Sequence, residues 1–520
     1  MRRISPARIS QYLFLALFLL LFLQTEYRGS DRIAAAVNGF FRADPLVAVS
    51  YLFAEKSFTW LIAPGLLLLG LSLLLGRFFC GWICPLGTLL DLVTPAIRRS
   101  GSLALPGGNL KYLLLIPLLT CSLFGLNFSG LLDPLALLVR ALTFFFHPLL
   151  GDSFRQTWVA LYRVMGERRD LLAPAYALLR DHLLPFRETF YPLAFLSAML
   201  LLLIVVLERY GTRTWCRTLC PLGTLLGLAG RFSPFARIPE RLCPDCGACR
   251  EICPTSFQGE TLRRDECILC MECLVRCPSQ RVRFSLSRFP GHIPYLPERR
   301  VVLGGMLSGL FLARFFRFRS PEAGARLLRP PGVLSEAEFL KRCVRCGECM
   351  KVCLRSALYP ALLQAGVEGL YTPVVIPRLG YCEYNCTLCG QVCPTGAIPQ
   401  LELGEKRRAV MGKAVFDHNH CLPFARRMDC IVCEEHCPVP AKAIRSRKVA
   451  VISPDGRRVT IQEPYVVDDL CTGCGICEHV CPLEGKAGIE VFAVKDRTPL
   501  MEPDRNAPPG SDPYGQGGRS

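Results

Sequence analysis

Residues 243 to 254 read CPDCGACREICP, and residues 267 to 278 read CILCMECLVRCP. Both are C-x-x-C-x-x-C-x-x-x-C-P, and thirteen residues separate Cys253 from Cys267. Three closely spaced thiolates can each bind one iron of a cubane. The fourth cysteine, set off by three residues and turned by proline, reaches the neighbouring cluster. The repeat therefore assigns Cys243, Cys246, Cys249 and Cys277 to one 4Fe-4S cluster, and Cys267, Cys270, Cys273 and Cys253 to its partner. A zinc ribbon uses two pairs of ligands, and a disulfide framework belongs to a short secreted chain. The third C-x-x-C step and the trailing proline favour iron-sulfur over both.

The same spacing organises the rest of the cysteines. Of 29 in the 520-residue chain, 24 fall into six quartets. Four quartets lie beyond residue 340: Cys343, Cys346, Cys349, Cys353; Cys382, Cys386, Cys389, Cys393; Cys421, Cys430, Cys433, Cys437; and Cys471, Cys474, Cys477, Cys481. The first and last have the spacing quoted above, while the middle two are stretched after Cys382 and after Cys421. Only sulfur positions are fixed by a cluster, so longer excursions are tolerated. Six clusters are expected in all.

Hydrophobic residues make up 51% of the chain and the mean hydropathy is positive, so part of it is expected in lipid. The net charge of +18 comes with no nucleic-acid motif, and basic residues flanking apolar spans suit the cytoplasmic side of a membrane protein. Tyr12 to Leu23 follows Arg2, Arg3 and Arg8 without a small-residue cleavage site, and reads as an uncleaved helix. Phe58 to Leu75, Leu110 to Leu132, and Phe190 to Leu207 are each close to the length a helix needs to cross the hydrocarbon. Arg98, Arg99 and Lys111, and the six Arg of residues 209 to 241, place one set of loops in the cytoplasm. The loop 133 to 187 opposes this with seven Arg, offset by acids.

Two of these spans lead into one phrase, FCGWICPLGTLLDL from Phe79 and WCRTLCPLGTLLGL from Trp215. This internal duplication puts Cys80, Cys84, Cys216 and Cys220 at helix ends, as ligands for a further metal centre or as a cycling dithiol. Packing at a proline-stopped helix end is the plainer alternative. Cys121, alone in an apolar helix, reads as a small hydrophobe. No C-x-x-C-H haem attachment and no Gly-rich dinucleotide fingerprint occurs, so neither haem nor NAD is expected. His147 and His182 read as surface residues of the outer loop, with a quinone-site role as the alternative, and His418 and His420 as turn residues beside Cys421, with a hydrogen bond to a cluster as the alternative.

The paired C-x-x-x-C-P phrases followed by the first two cluster motifs resemble the NapH family of membrane ferredoxin-type proteins, and more distantly NosR and MauN. The resemblance covers residues 1 to 290 apart from the insertion 150 to 187. It implies four crossings and electron transfer from quinol toward a periplasmic reductase. Residues 329 to 489, with RPPG, CVRCGEC, the long third motif and CTGCGIC, resemble the NapG and MauM ferredoxin-type proteins. They also resemble, more loosely, the four-cluster electron subunits of molybdenum oxidoreductases. That resemblance implies that the first motif exchanges ligands with the fourth and the second with the third. The implied sets are Cys343, Cys346, Cys349 with Cys481; Cys471, Cys474, Cys477 with Cys353; Cys382, Cys386, Cys389 with Cys437; and Cys421, Cys430, Cys433 with Cys393. Leu354 stands where the motif has proline.

Arg299 and Arg300 before the apolar run Val301 to Ala313 resemble the twin-arginine signal that opens NapG-type proteins. Either this run is a fifth crossing that exports the second module, or it lies at the interface and leaves that module in the cytoplasm. The twin arginines favour export.

The expected fold is a polytopic α-helical membrane bundle of four transmembrane helices, five if Val301 to Ala313 crosses, with two α+β bacterial-ferredoxin-like modules. The expected divisions are a transmembrane domain at 1–232, a two-cluster module at 233–290, a basic linker at 291–328, a four-cluster module at 329–495 and a disordered tail at 496–520. The expected location is the bacterial inner membrane, with the first module cytoplasmic and the second periplasmic. The expected partners are the lipid bilayer, the quinone pool and a downstream redox protein or reductase of the periplasmic nitrate-reductase kind. The chain would then be the electron-transfer component of a quinol dehydrogenase. The alternative is an accessory redox factor that matures or maintains a periplasmic metalloenzyme, as implied by MauN, MauM and NosR.

Overall fold

The computed structural model describes residues 5–97, 109–165, 173–239, 246–255, 257–258, 261–262, 266–286, 297–315, 326–333, 335–452, 456 and 458–494. Arg2, Arg3, Arg98, Arg99, Cys243 and the tail from residue 496, on which parts of the reading above rest, lie outside the described residues.

The first 230 residues form helices α1 (Pro6–Gln24), α2 (Asn38–Arg42), α3 (Pro45–Glu55), α4 (Ala63–Leu75), α5 (Phe78–Trp82), α6 (Pro85–Ile97), α7 (Leu110–Leu123), α8 (Ser129–Leu132), α9 (Pro134–Ala141), α10 (His147–Met165), α11 (Ala173–His182), α12 (Ala194–Leu207), α13 (Thr214–Thr218) and α14 (Pro221–Gly230). The duplication is wider than the CPLGTLL phrase. Asp44-Pro45-Leu46 opens α3 and Asp133-Pro134-Leu135 opens α9, just as Cys84-Pro85 and Cys220-Pro221 open α6 and α14. Proline suits the first helical position, where its missing N–H has no partner to lose. The residue before it caps the helix: Asp44 accepts from Leu46 N at 2.7 Å, Asp133 from Ala136 N at 2.8 Å, and Cys220 Sγ from Gly223 N at 3.3 Å. The second oxygen of each aspartate has no hydrogen-bond donor, and the two buried carboxyl groups face each other.

Two modules follow. In the first, β1 (Phe235–Pro239) pairs antiparallel with β4 (Val282–Leu286), with a small hairpin of β2 (Phe257–Gln258) and β3 (Thr261–Leu262) and two short helices, α15 (Ala248–Ile252) and α16 (Glu272–Val275), between them. After α17 (Arg299–Phe315), the second module carries three antiparallel pairs. These are β5 (Leu358–Pro360) with β6 (Pro373–Val375), β7 (Gly412–Phe416) with β10 (Ile489–Ala493), and β8 (Ile444–Ile452) with β9 (Arg458–Val466).

The modules dock at opposite ends of the bundle. At the start of α1, Ser5 Oγ donates to Glu272 Oε1 at 2.9 Å and Arg8 pairs with Glu272 at 2.6 Å; just past its end, Glu26 pairs with Lys351 at 3.2 Å. In the first turn of α7, Lys111 pairs with Glu266, and the helix leads to Asn127, which donates to Lys341 O at 3.2 Å. α4 and α12 run the other way. Glu55 ahead of α4 pairs with Arg342 at 2.6 Å and Arg77 beyond it pairs with Glu266, while Tyr191 ahead of α12 donates to Met350 O at 3.1 Å and Thr212 beyond it donates to Pro254 O at 3.2 Å. α17 lies along α7 in the same direction, with Gly305 against Ile116, Gly309 against Pro117 and Thr120, and Ala313 in one core with Cys121. Small residues four apart let the two backbones approach closely. Cys121 Sγ donates to Gly309 O at 3.4 Å, so that thiol is a packing contact of this pair. Thus α17 carries the chain from the end that holds the first module to the end that holds the second.

Several boundaries differ from expectation. α4 begins at Ala63 after a 3-10 turn, α12 begins at Ala194, and α7 stops at Leu123, where Gly125 turns with φ +83°. Among the described residues two helices are long and apolar enough to cross a membrane, Pro6–Gln24 and Pro134–Met165. The second falls in the stretch expected as a loop; α9 runs through a π-helical turn at Leu142–Phe146 into α10.

The docking contacts share one device. The carbonyl of Ile268, next to Cys267, packs onto Gly81, and that of Val344, next to Cys343, packs onto Gly130, so closely that a Cβ on either glycine would collide with it. Glu266 is buried between Arg77 and Lys111. Glu266→Ala is expected to cost about 3–5 kcal/mol, because two buried cations lose their counter-charge; denaturant titration of the full chain measures it, and a loss below about 1 kcal/mol would contradict the buried triad. Gly130→Val is expected to raise hydrogen exchange at residues 343–353 while leaving Ile268 to Cys273 protected.

Candidate iron-sulfur sites

The four motifs of regular spacing place their second and third cysteines on either side of a left-handed turn, whereas Thr387 (φ −122°) and Ile431 (φ −118°) stand there in the stretched motifs. Gly347 (φ +88°) and Gly475 (φ +83°) supply it where the motif reads C-G-x-C, and Met271 (φ +57°) takes the same conformation in the second repeat. A short helix then carries the third cysteine. The fourth thiol leaves that helix toward a neighbouring motif.

In the first module Cys270 interacts with Cys267, Cys253 and Cys273, so the fourth cysteine of the first repeat stands with the three of the second. Cys243, which would stand with Cys246, Cys249 and Cys277, lies outside the described residues. Arg237 on β1 reaches the sulfurs of Cys249 and Cys273.

In the second module the motifs are paired differently from the arrangement that resemblance implies. Cys393 stands with Cys343, Cys346 and Cys349, and Cys353 with Cys382, Cys386 and Cys389. Cys481 stands with Cys421 and Cys433 of the third motif, which also holds Cys430, and Cys437 with Cys471 and Cys474 of the fourth, which also holds Cys477. First thus exchanges with second and third with fourth. These exchanges close loops of 28 and 33 residues, whereas a first-to-fourth exchange closes more than a hundred, and loop closure costs slightly more as the loop lengthens.

These sets fit cubane clusters by their donors. Backbone N–H groups point at the fourth sulfurs: Ala357 N to Cys353 at 3.2 Å, Ile398 N to Cys393 at 3.4 Å and Gly488 N to Cys481 at 3.3 Å. Such bonds stabilise thiolate and tune a cluster's potential. Burial pushes the thiols of Cys386, Cys433 and Cys474 up to about 12, and neighbouring thiols add to this. Binding iron as thiolate must therefore release protons, which couples cluster insertion to completion of the fold.

The sets follow one another in space. Val344 and Cys346 belong to the hydrophobic core of the bundle itself, so the set of Cys343 is innermost. Its partner set meets the fourth-motif set where Cys382 N donates to Cys474 O at 2.9 Å, and Cys477 adjoins Cys433. The third-motif set is outermost, with Met428 and Ile431 exposed beside it.

Cys80, Cys84, Cys216 and Cys220 are brought together near the first module, each within electrostatic reach of the others. Two buried arginines cross between the repeats: Arg213 Nη1 donates to Cys80 O at 2.6 Å, and Arg77 Nη2 to Cys216 O at 3.3 Å. Each guanidinium lies on the glycine of the opposite CPLG, Arg213 on Gly87 and Arg77 on Gly223. Trp82 Nε1 donates to Leu269 O at 3.0 Å, and Cys270 packs into the same core as the four thiols. Among the described residues no three or more His, Cys, Asp or Glu side chains close tightly enough to hold a single metal ion.

Sequence reading missed Arg77 and Arg213, whose only signal is their shared place three residues before Cys80 and Cys216. It also misplaced His147. That side chain is largely covered, packed edge-on against Phe22 with ring centroids 5.6 Å apart. His418 stacks on Phe424, and His420 pairs with Asp417 at 2.9 Å.

A family described as a 4Fe-4S binding domain matches residues 57–101 and 191–239, the two duplicated segments, and a second of the same description matches 464–484. The chain is 39% identical over 211 residues to the methylamine utilization ferredoxin-type protein MauM of Methylorubrum extorquens, which is 38% of this chain and 90% of that relative. It is 36% identical over 185 residues to the ferredoxin-type protein NapG of Escherichia coli, 35% of this chain and 78% of the relative. To the putative electron transport protein YccM of Escherichia coli it is 28% identical over 255 residues, 46% of this chain and 59% of the relative. No solved structure matches it.

The ligand exchange can be tested by iron content. Replacing Cys346 and Cys393 together by alanine is expected to remove the iron of one cubane, about four atoms, whereas Cys346 with Cys481 is expected to remove about eight. The opposite ranking would restore the first-to-fourth exchange.

Proposed function

We infer the function from one premise: the chain belongs to the ferredoxin-type family of MauM and NapG. It is an iron-sulfur electron-transfer protein, and a redox partner follows from that. Beyond this, we propose that it is an integral protein of the bacterial inner membrane. On this reading it takes electrons from the quinol pool and delivers them to a respiratory acceptor of the periplasmic nitrate-reductase kind.

The observation that supports this reading is the placement of the two cysteine modules at opposite ends of one bundle, bridged by α1, α4, α7, α12 and α17. α1 with 19 residues and α17 with 17 extend about 28 and 26 Å, close to the ~30 Å of hydrocarbon. α4 and α12 are shorter, but their ends are continued by turns held inside protein, where irregular backbone at membrane depth is tolerated. A fifth crossing by α17 would put the first module in the cytoplasm and the second in the periplasm. This is a NapH-like membrane half joined to a NapG-like soluble half.

Six 4Fe-4S clusters, when bound, would each accept and pass on a single electron, which lets a two-electron donor be emptied stepwise. The chain's own part is placement. The Cys343 set is held in the bundle core, the Cys382 and Cys471 sets lie between, and the Cys421 set is offered at the surface. Near the first module, Cys80, Cys84, Cys216 and Cys220 are held as a redox dithiol pair or a further cluster site. The match of a 4Fe-4S binding domain to both of their segments supports either.

The second reading is an accessory factor that supplies electrons for maturing or maintaining a periplasmic metalloenzyme. The greater identity to MauM than to NapG favours it. Anaerobic holoprotein in lipid nanodiscs separates the two. Loss of the absorbance band near 400 nm on adding a menaquinol or ubiquinol analogue, at a catalytic rate, is expected for the quinol reading. An unreactive band, with a downstream enzyme inactive in a deletion strain, would replace it by the accessory role. Phosphatase fusions at residue 330 are expected to be active; a fluorescent, phosphatase-negative result would return the second module to the cytoplasm.

A further inference from the structure

Among the described residues five arginines are fully buried: Arg77, Arg140, Arg213, Arg329 and Arg345. Three of them face a carboxylate, Arg77 with Glu266, Arg213 with Asp91 and Arg329 with Glu336. Arg140 and Arg345 form no ion pair among the described residues, and their hydrogen bonds go to backbone carbonyls. Arg140 donates to Leu131 O at 3.0 Å and Arg345 O at 3.3 Å. Arg345 donates to Leu370 O at 3.0 Å, Glu368 O at 2.7 Å and Cys343 O at 3.4 Å. Carbonyls satisfy the N–H groups but leave the charge in place, and a buried charge without a counter-charge is strongly unfavourable.

The acids nearby do not supply that counter-charge. Asp133 caps α9 and faces Asp44. Glu348, buried next to Cys349, has Arg42 and Lys351 in its field. Asp133 and Glu368 act on the two guanidiniums through the field, without an ion pair.

Both guanidiniums instead border the first cysteine motif of the second module. Arg345 stands between Cys343 and Cys346 in the left-handed conformation, φ +54°, and lies over the Phe128 ring, 5.0 Å from its centroid. Arg140 comes from α9 on the bundle side. Its stem packs on Gly347, the turn after Cys346, and its guanidinium lies 4.5 Å from the centroid of the Tyr371 ring. Cys346 is in the field of Arg140 and Cys343 in that of Arg345. The two cations, one from the module and one from the bundle, are also in each other's field. Like charges brought together across an interface repel, and burial leaves the repulsion almost unscreened. An anion beside both relieves it. A cubane held by four thiolates is such an anion, and an electron it accepts makes it more negative.

We propose that Arg140 and Arg345 take the 4Fe-4S cluster of Cys343, Cys346, Cys349 and Cys393 as their shared counter-charge, and that their two charges make this cluster easier to reduce. The step is the gain of one electron from an external reductant. One ferric iron becomes ferrous, no bond of the chain forms or breaks, and no proton has to follow, because the compensating charges are already in place. The inference rests on the iron-sulfur reading above and is independent of which donor supplies the electron.

The test is an anaerobic redox titration of the full-length, cluster-loaded protein in nanodiscs, with dithionite as reductant and electron paramagnetic resonance as readout. In Arg140→Gln and in Arg345→Gln one signal is expected to need a lower potential. The expected change is at least tenfold in the equilibrium constant for reduction, about 59 mV for one electron. The signal that moves is expected to be missing from Cys346→Ala. Arg140→Lys and Arg345→Lys keep the charge without the planar fork, and are expected to stay within tenfold of the wild type. Should a Gln variant lose iron, the Lys variant at that position decides. Full iron content and the wild-type potential there would support the counter-charge, whereas iron lost from both would overturn it, since shape and not charge would then hold the site. An unchanged potential in both iron-loaded Gln variants, or a shift confined to a signal that Cys346→Ala retains, would also overturn it. A wild-type chain without any such signals would remove the iron-sulfur reading itself.

Discussion

The crossing of Arg77 and Arg213 between the duplicated halves is the interaction on which the remainder is built. Each guanidinium is fully buried, lies over a glycine of the other half and donates to the carbonyl of the first cysteine there. A buried cation is tolerated only when its hydrogen bonds and counter-charge are complete. Arg213 finds Asp91 at 2.7 Å within the bundle. Arg77 finds Glu266 outside it, one residue before Cys267. The bundle is therefore electrostatically incomplete without the first module, and the four thiols and the Cys267 set are fixed relative to one another by the same charges.

The other end of the duplication obeys a comparable rule with opposite charge. Asp44 and Asp133 each cap a helix, and their remaining oxygens meet in the interior. Arg140 lies in the field of both Asp133 and Cys346 and donates to Arg345 O at 3.3 Å, which ties this end to the innermost set of the second module. The two halves thus bring arginines together at one end and acids at the other, and each end receives one module.

The cysteines, their grouping into six quartets and the CPLGTLL repeat were legible because ligand spacing is local along the chain. The positions of α1, α4, α7 and α12 were legible because apolar runs mark them, but one end of each differed, by as much as nine residues for α7. The segment 133–165 was read as part of the loop between two apolar spans, yet its first half is buried in protein and Arg140 donates to Leu131 O there. Ligand exchange in the second module was not legible: four equivalent motifs permit several pairings, and the choice depends on which loops close first. His147 could not be distinguished from a surface residue because Phe22, Glu26 and Lys351 come from two distant stretches.

The observed exchange has a consequence for direction. Were the first motif to share ligands with the fourth, the sets nearest the bundle would also include the one beside β10, and the middle two would form a separate pair. With first and second exchanging, and third and fourth, the four sets fall in a single file, joined at the middle by Cys382 N and Cys474 O. The first pair touches the bundle: Cys346 lies in its core, and Lys351, two residues before Cys353, pairs with Glu26 just past α1. The third-motif set sits beside an exposed turn that holds Met428. A file with one end in the bundle and the other at the surface has a built-in entrance and exit, and the short local loops that close each exchange are what make the file linear.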